Sequence, residues 1–241
     1  MGAPADGIAV RAAAAAQVFV ADPAHPVLTE GDLHHLAKVL RLRRGEVVVA
    51  GDGRGAWCLC RFAGAGADPA LALEPDAEVR REPPEEHPVT VAFAPAKGDR
   101  PEWVVQKLTE LGVDRLVVLA ADRSVVRWEG PRAERSVSRL ERVAAEAAAQ
   151  SRRVFLPEVL GPQTLRQLAA DAAGVALAER GGGPAPPGLS LLAVGPEGGW
   201  SDAERAVGLD TVGLGEHVLR AETAAVAAGV VLGAGRSSRR G

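Results

Sequence analysis

The residues best suited to hold a ligand stand in two short runs near the carboxyl end. They are Val194-Gly195-Pro196-Glu197-Gly198-Gly199-Trp200-Ser201 and Leu214-Gly215-Glu216-His217-Val218-Leu219-Arg220-Ala221-Glu222-Thr223-Ala224. Glycines at 195, 198 and 199 let backbone N–H and C=O groups approach a ligand with no Cβ in the way, and Pro196 fixes one φ angle. Ser201 opens Ser-Asp-Ala-Glu, a capping box closed by Glu204, so a helix N-terminus should follow the first run directly. Taken singly, each run reads as well as a tight strand-to-helix connection. Two such loops after neighbouring strands describe a crevice at the carboxyl edge of a parallel sheet, where open α/β folds bind ligands.

The elements that must position these loops are legible as alternating strands and helices. Strands are expected at Val89–Ala94, Arg115–Ala120, Val154–Leu160, Gly174–Ala178, Leu189–Val194 and Thr211–Leu214. Helices are expected from Asp99, with an Asp99/Glu102 box, to Leu111, then at 131–150, 162–172 and 201–207, with a last one after the second loop. This is a parallel α/β pattern, with a loose glycine loop over 181–188. Upstream, Gln17–Val20, Glu46–Ala50, Ala56–Phe62 and Ala70–Leu73 are short alternating runs separated by turns such as Gly51-Asp52-Gly53-Arg54-Gly55, which suggests a small β-barrel. One helix, Thr29–Leu40, interrupts it. The charged, proline-rich stretch 74–87 reads as a linker, and Arg236, Arg239 and Arg240 read as a frayed tail.

Several chemistries are excluded. No Gly-x-x-x-x-Gly-Lys-Ser/Thr loop is present, and the first βα turn, Ala94-Pro95-Ala96-Lys97-Gly98-Asp99, has one glycine where a dinucleotide fingerprint needs three. The two candidate loops instead offer Gly, Leu, Val and Ala, a lining suited to an adenine between apolar walls. The chain of 241 residues carries a net charge of −3, so attraction to nucleic acid must come from local patches. Cys58 and Cys60 would share one face of a strand and read as buried free thiols, which points to a reducing, cytoplasmic compartment. Ala9–Ala16, broken by Arg11, lacks the pattern of a signal peptide, and Ala224–Ala234 is about half a membrane span, so neither membrane nor metal is expected. The adjacent His34 and His35 diverge on a helix and have no carboxylate pair beside them.

Five segments occur in one order across nearly the whole chain: His34 to Leu42, Gln106-Lys107-Leu108-Thr109-Glu110-Leu111-Gly112-Val113, Glu146 to Arg153, Gly195 to Gly199, and Leu214 to Ala224. In them the chain resembles the bacterial 16S ribosomal RNA uridine-N3 methyltransferases, the RsmE family of the SPOUT superfamily. The resemblance implies a PUA-like β-barrel over residues 1–80 that binds RNA. It implies a SPOUT methyltransferase domain over 88–241 whose end threads a trefoil knot, bound S-adenosylmethionine, and a homodimer acting on 16S ribosomal RNA or the small ribosomal subunit. The implied cofactor cradle is Leu192, Val194, Gly195, Gly198 and Gly199, with Leu214, Gly215, Val218, Leu219, Arg220, Thr223 and Ala224. The sequence departs from the family at Trp200, for Phe, at Ala221, for Thr, and at Gln17, where an Arg is usual.

Uracil N3 must lose its proton before or as it attacks a methyl group. Arg220 is the candidate for stabilising the uracil anion, with Glu222 or Glu197 as proton acceptor or orienting group. Glu222 reads equally as a helix N-terminal carboxylate favoured by the dipole. RNA contacts are expected from Lys38, Arg41, Arg43 and Arg44, from Lys97 and Arg100, and from Arg152 and Arg153, each of which reads equally as part of a solvated face. The rival readings are a transfer RNA methyltransferase of the same superfamily and a non-catalytic RNA-binding module.

Overall fold

Residues 5–172 and 174–237 are described by the computed structural model, and the chain divides into two units. The first runs to Glu85 and takes in Ala148–Leu156; the second runs from Glu86 to Ala147 and resumes at Pro157.

In the first unit, α1 (Ala5–Ala12) precedes β1 (Ala16–Phe19), which pairs in parallel with β2 (Val47–Gly51). The glycine run 51–55 turns β2 into antiparallel β3 (Ala56–Phe62). Thr29 caps α2 (Glu30–His34) through a reciprocal box with Asp32. The expected helix then widens into a π-helical turn, His35–Val39, closed by Leu40 N–H donating to His35 O at 2.9 Å. Leu36, Val48, Cys58, Cys60 and Phe62 share the core.

The stretch read as a linker is partly sheet: β4 (Leu73–Pro75) and β5 (Arg80–Arg81) both pair with β3. Its anchors are polar, which is why no apolar period betrays them. Glu82 accepts the Trp57 indole N–H at 3.2 Å and ion-pairs with the buried Arg11, while the Arg11 and Arg80 guanidinium groups lie 5.0 and 5.3 Å from the centre of the Trp57 ring.

The second unit is one sheet of six parallel strands. Along the chain come β6 (Thr90–Phe93), α3 (Arg100–Glu110), β7 (Arg115–Leu119), α4 (Gly130–Gln150), β8 (Glu158–Gln163) and α5 (Leu165–Asp171). Then follow β9 (Val175–Gly183), β10 (Leu191–Val194), α6 (Asp202–Arg205), β11 (Asp210–Val212) and α7 (Ala221–Ser237). The strand order is β11-β9-β10-β6-β7-β8, and central β6 and β10 are buried on both faces, in keeping with sequences that are apolar but for Thr90.

Four local expectations are corrected. Val154–Leu160 is not one strand: Gly55 N–H donates to Val154 O and Leu156 N–H to Gly53 O within the first unit, Pro157 interrupts, and β8 begins at Glu158. Asp99 makes no side-chain cap on α3, and Glu102 instead meets Arg139 at 2.9 Å. The glycines of 181–183 extend β9 rather than loosen it. A Cβ on Gly182 would lie 2.7 Å from the Val212 carbonyl carbon, so glycine is what lets β9 and β11 touch. Arg236 is no frayed end, since it holds Asp114 at 2.8 Å from α7; Arg239 and Arg240 lie outside the described residues.

Candidate functional site

At the carboxyl ends of β10 and β11, against the middle of β9, the second unit opens a pocket of about 450 Å³. Val194, Gly195, Glu197, Gly199 and Trp200 line it from the first loop, and Leu214, Gly215, Val218, Leu219 and Ala224 from the second. Ala178, Glu179 and Arg180, from β9, face them, with His217. His217 belongs to the second run, whereas nothing local in the sequence marks the three β9 residues, because β9 reaches the site only by lying between β10 and β11.

Four of the residues expected in the cradle do not line the pocket. Leu192 is core, inside β10; Gly198 faces Arg123; Arg220 and Thr223 are exposed on the second segment.

The first loop is held by contacts that its glycines permit. Trp200 is 2% exposed, and its indole N–H donates to Ala178 O at 3.3 Å. A Cβ on Gly195 would lie 3.1 Å from that ring, and one on Gly198 would lie 3.3 Å from the Cβ of Arg123. Gly199 and Gly215 have φ of 68° and 141°, with open space where a Cβ would point. Beyond the loop the Ser201 box forms as read, and the buried Glu204 carboxylate accepts two backbone N–H groups, from Ser201 at 2.8 Å and from Asp122 at 3.0 Å. Ser201 Oγ donates to Asp122, and Arg123 Nη1 donates to Gly198 O at 3.2 Å, so the loop after β7 clasps the pocket loop.

Two of the candidate acids lie beside Arg100, at the first turn of α3. Its guanidinium lies 3.7 Å from a Glu197 carboxylate oxygen and 3.8 Å from one of Glu222. Glu222 is 15% exposed, and its other oxygen is buried with no hydrogen-bond partner among the described residues. Two candidate acids are thus joined by Arg100, for which the sequence offers an RNA contact and a solvated face equally.

Among the other expected RNA contacts, Lys38, Arg41 and Arg43 are exposed on the first unit and Lys97 is exposed on the turn after β6. Arg152 has another task. Its guanidinium donates to the carbonyls of Ala14, Ala15 and Ala149 at 2.9–3.3 Å, its burial lowers its pKa, and its backbone is left-handed at φ 62°. Arg153 offers its carbonyl to Gln17 Nε2 at 2.5 Å, so Gln17 is a buried structural amide. Among the described residues no His, Cys, Asp or Glu cluster could hold a metal, and no helix is long and apolar enough to cross a membrane.

Comparison with known proteins gives a consistent relationship. A family model described as an RNA methyltransferase domain matches residues 83–233, and one described as an RNA methyltransferase PUA domain matches 28–74. The chain is 37% identical over 216 residues to the ribosomal RNA small subunit methyltransferase E of Mycobacterium bovis, covering 80% of each chain. It is 33% identical to that of Bacillus subtilis, covering 82% of this chain and 85% of the relative. A Legionella pneumophila structure holding the bound cofactor SAM superimposes with a TM-score of 0.75 at 27% identity, over 90% of this chain and 96% of that one.

Proposed function

Because this chain belongs to the RNA methyltransferase family that includes the ribosomal RNA small subunit methyltransferases E, we propose that it transfers a methyl group from S-adenosylmethionine to N3 of a uridine in 16S ribosomal RNA. The observation that carries this reading is the crevice between two glycine loops, whose lining includes Glu197, the carboxylate that Arg100 links to Glu222. Its volume is in the range of cofactor sites. The apolar side chains of Val194, Leu214, Leu219 and Ala224 suit an adenine, and the open Cβ directions at Gly199 and Gly215 leave backbone groups free to meet ligand edges.

Bound S-adenosylmethionine supplies an electrophilic methyl group on a sulfonium. The chain's own residues then have two tasks. The unpartnered oxygen of Glu222 accepts the N3 proton, with Arg100 holding the other oxygen and so fixing the carboxylate. Arg220 stabilises the negative charge that spreads onto the uracil oxygens as the N3–H bond breaks. Alignment of nitrogen and methyl supplies much of the remaining acceleration.

The same reading includes the superfamily's trefoil knot, an RNA-binding role for residues 1–80 and a methyltransferase domain over 88–241. It also includes a homodimer, supported by exposed Trp103 on α3 and Val230 on α7, two helices that pack together. Buried Cys58 and Cys60, both free thiols, suit a reducing cytoplasm. The test is incorporation of labelled methyl into small subunits, naked 16S RNA and transfer RNA, followed by nucleoside analysis. Label in a ribosomal substrate recovered as N3-methyluridine is expected; label in transfer RNA, or in another nucleoside, overturns the assignment.

A further inference from the structure

The sheet edge that carries the crevice has a second cavity, of about 160 Å³, where β6, β7 and β8 end. Its walls are apolar, with Pro95, Leu119, Val126, Trp128 and Pro162 among them. One hydroxyl is set into them. Ser124 is 8% exposed, and its Oγ has no hydrogen-bond partner among the described residues. Buried side-chain polar atoms are nearly always paired, so this one marks a place for a ligand atom. The cavity is far smaller than the cofactor crevice and has room for one small flat group. Its lining also includes Arg127, Asp122 and Glu129. A bare anion would meet two carboxylates there, whereas a neutral heterocycle carries donors and acceptors that both signs can serve.

We propose that this cavity is a subsite for a nucleobase adjacent to the methylated residue, turned out of the RNA strand beside Trp128 with one edge hydrogen-bonded to Ser124 Oγ. Unstacked RNA bases are recognised in this way, by aromatic and guanidinium planes together with polar groups at the base edge. The proposal rests on the RNA methyltransferase reading and deepens it. The subsite is mechanically tied to the crevice. Ser124 follows directly on Asp122 and Arg123, which bond to Ser201, Glu204 and Gly198, so the base-binding turn and the pocket loop are held as one piece. A flanking base seated here would fix the register of the strand and so select which uridine faces the methyl donor.

The test is an abasic scan. RNA that the wild type methylates is prepared with an abasic residue at each position flanking the target uridine, and kcat/KM is measured for wild type, Ser124→Leu, which fills the cavity, and Ser124→Ala. One flanking position should cost the wild type about tenfold when its base is removed. Ser124→Leu should show that loss already on intact RNA and no further loss on the abasic RNA. Ser124→Ala, which removes one hydroxyl, should change the preference among the four bases at that position alone, and it decides the matter if the leucine variant fails to bind S-adenosylmethionine. The subsite is refuted if no flanking position matters to the wild type, or if both variants keep the wild-type penalty and base preference. Absence of methyl transfer by the wild type to every RNA would instead overturn the reading beneath it.

Discussion

Gly195→Ala separates the physical roles of glycine in the pocket loop. Gly195 has no positive φ, so alanine meets no backbone strain there, and the whole effect comes from one contact. The new Cβ would stand 3.1 Å from Trp200 Cε2 and 3.2 Å from Cζ2, closer than a relaxed carbon pair. Trp200 cannot simply give way, because it is buried in the core beneath the loop and donates its indole N–H to Ala178 O. Overpacking of this kind costs about 1–3 kcal/mol. Both residues line the crevice, so the cost falls on its shape. If it is borne by the ligand-ready state, S-adenosylmethionine affinity falls by roughly 5- to 150-fold. Calorimetric titration of S-adenosylmethionine into wild type and variant measures this directly. Gly199→Ala is the control: φ of 68° strains it by about 1–2 kcal/mol, yet no atom lies within 4 Å. Trp200→Phe, which shrinks the ring, should recover part of the Gly195→Ala loss, so that the double variant loses less than the sum of the single ones. Affinity within twofold of wild type in Gly195→Ala, with an unchanged melting temperature, would refute the packing argument.

Other consequences are equally open to measurement. Arg220→Ala should lower the methyl-transfer rate by about a hundredfold or more while leaving S-adenosylmethionine binding nearly intact, since the side chain is exposed and does not line the pocket; normal turnover would remove its role. Glu204→Ala strands the N–H groups of Ser201 and Asp122, at a cost of about 3 kcal/mol, which should lower the melting temperature by roughly 6–12 °C in a scanning calorimeter. Arg152→Ala should destabilise the first unit, seen as faster proteolysis, because its guanidinium binds three carbonyls. Burial pushes the Cys60 thiol from 9.0 up to about 12. The folded state therefore keeps a proton that the unfolded chain releases, so this contribution to stability is complete below about pH 9 and is lost as pH rises toward about 12. Denaturant titrations across that window should show the decline, and Cys60→Ala should flatten it.

The second unit was legible because a buried parallel sheet writes itself as apolar runs separated by capped helices; Ser201 with Glu204 and the turn at 51–55 were equally plain. What escaped was set by partners distant in sequence. Glu82 looks like any acid in a charged stretch until Arg11 and Trp57 arrive, and Arg152 looks like a free cation until Ala14 and Ala15 close on it. Gly182 signals flexibility in a sequence, yet it serves close backbone contact with Val212. In the candidate site, the loop glycines were found from their spacing. The β9 wall and the Arg100 bridge were not, because sheet order and a contact spanning about a hundred residues leave no local trace.

Every residue lining the crevice lies between Ala178 and Ala224. Because β11 seats against β9 while β9 seats against β10, the two loops face each other only when all three strands are assembled. A nascent chain halted before Ala224 can therefore have begun to fold its earlier strands and still possess no complete seat for a methyl donor. Translation itself delays the activity until the late segments have been delivered.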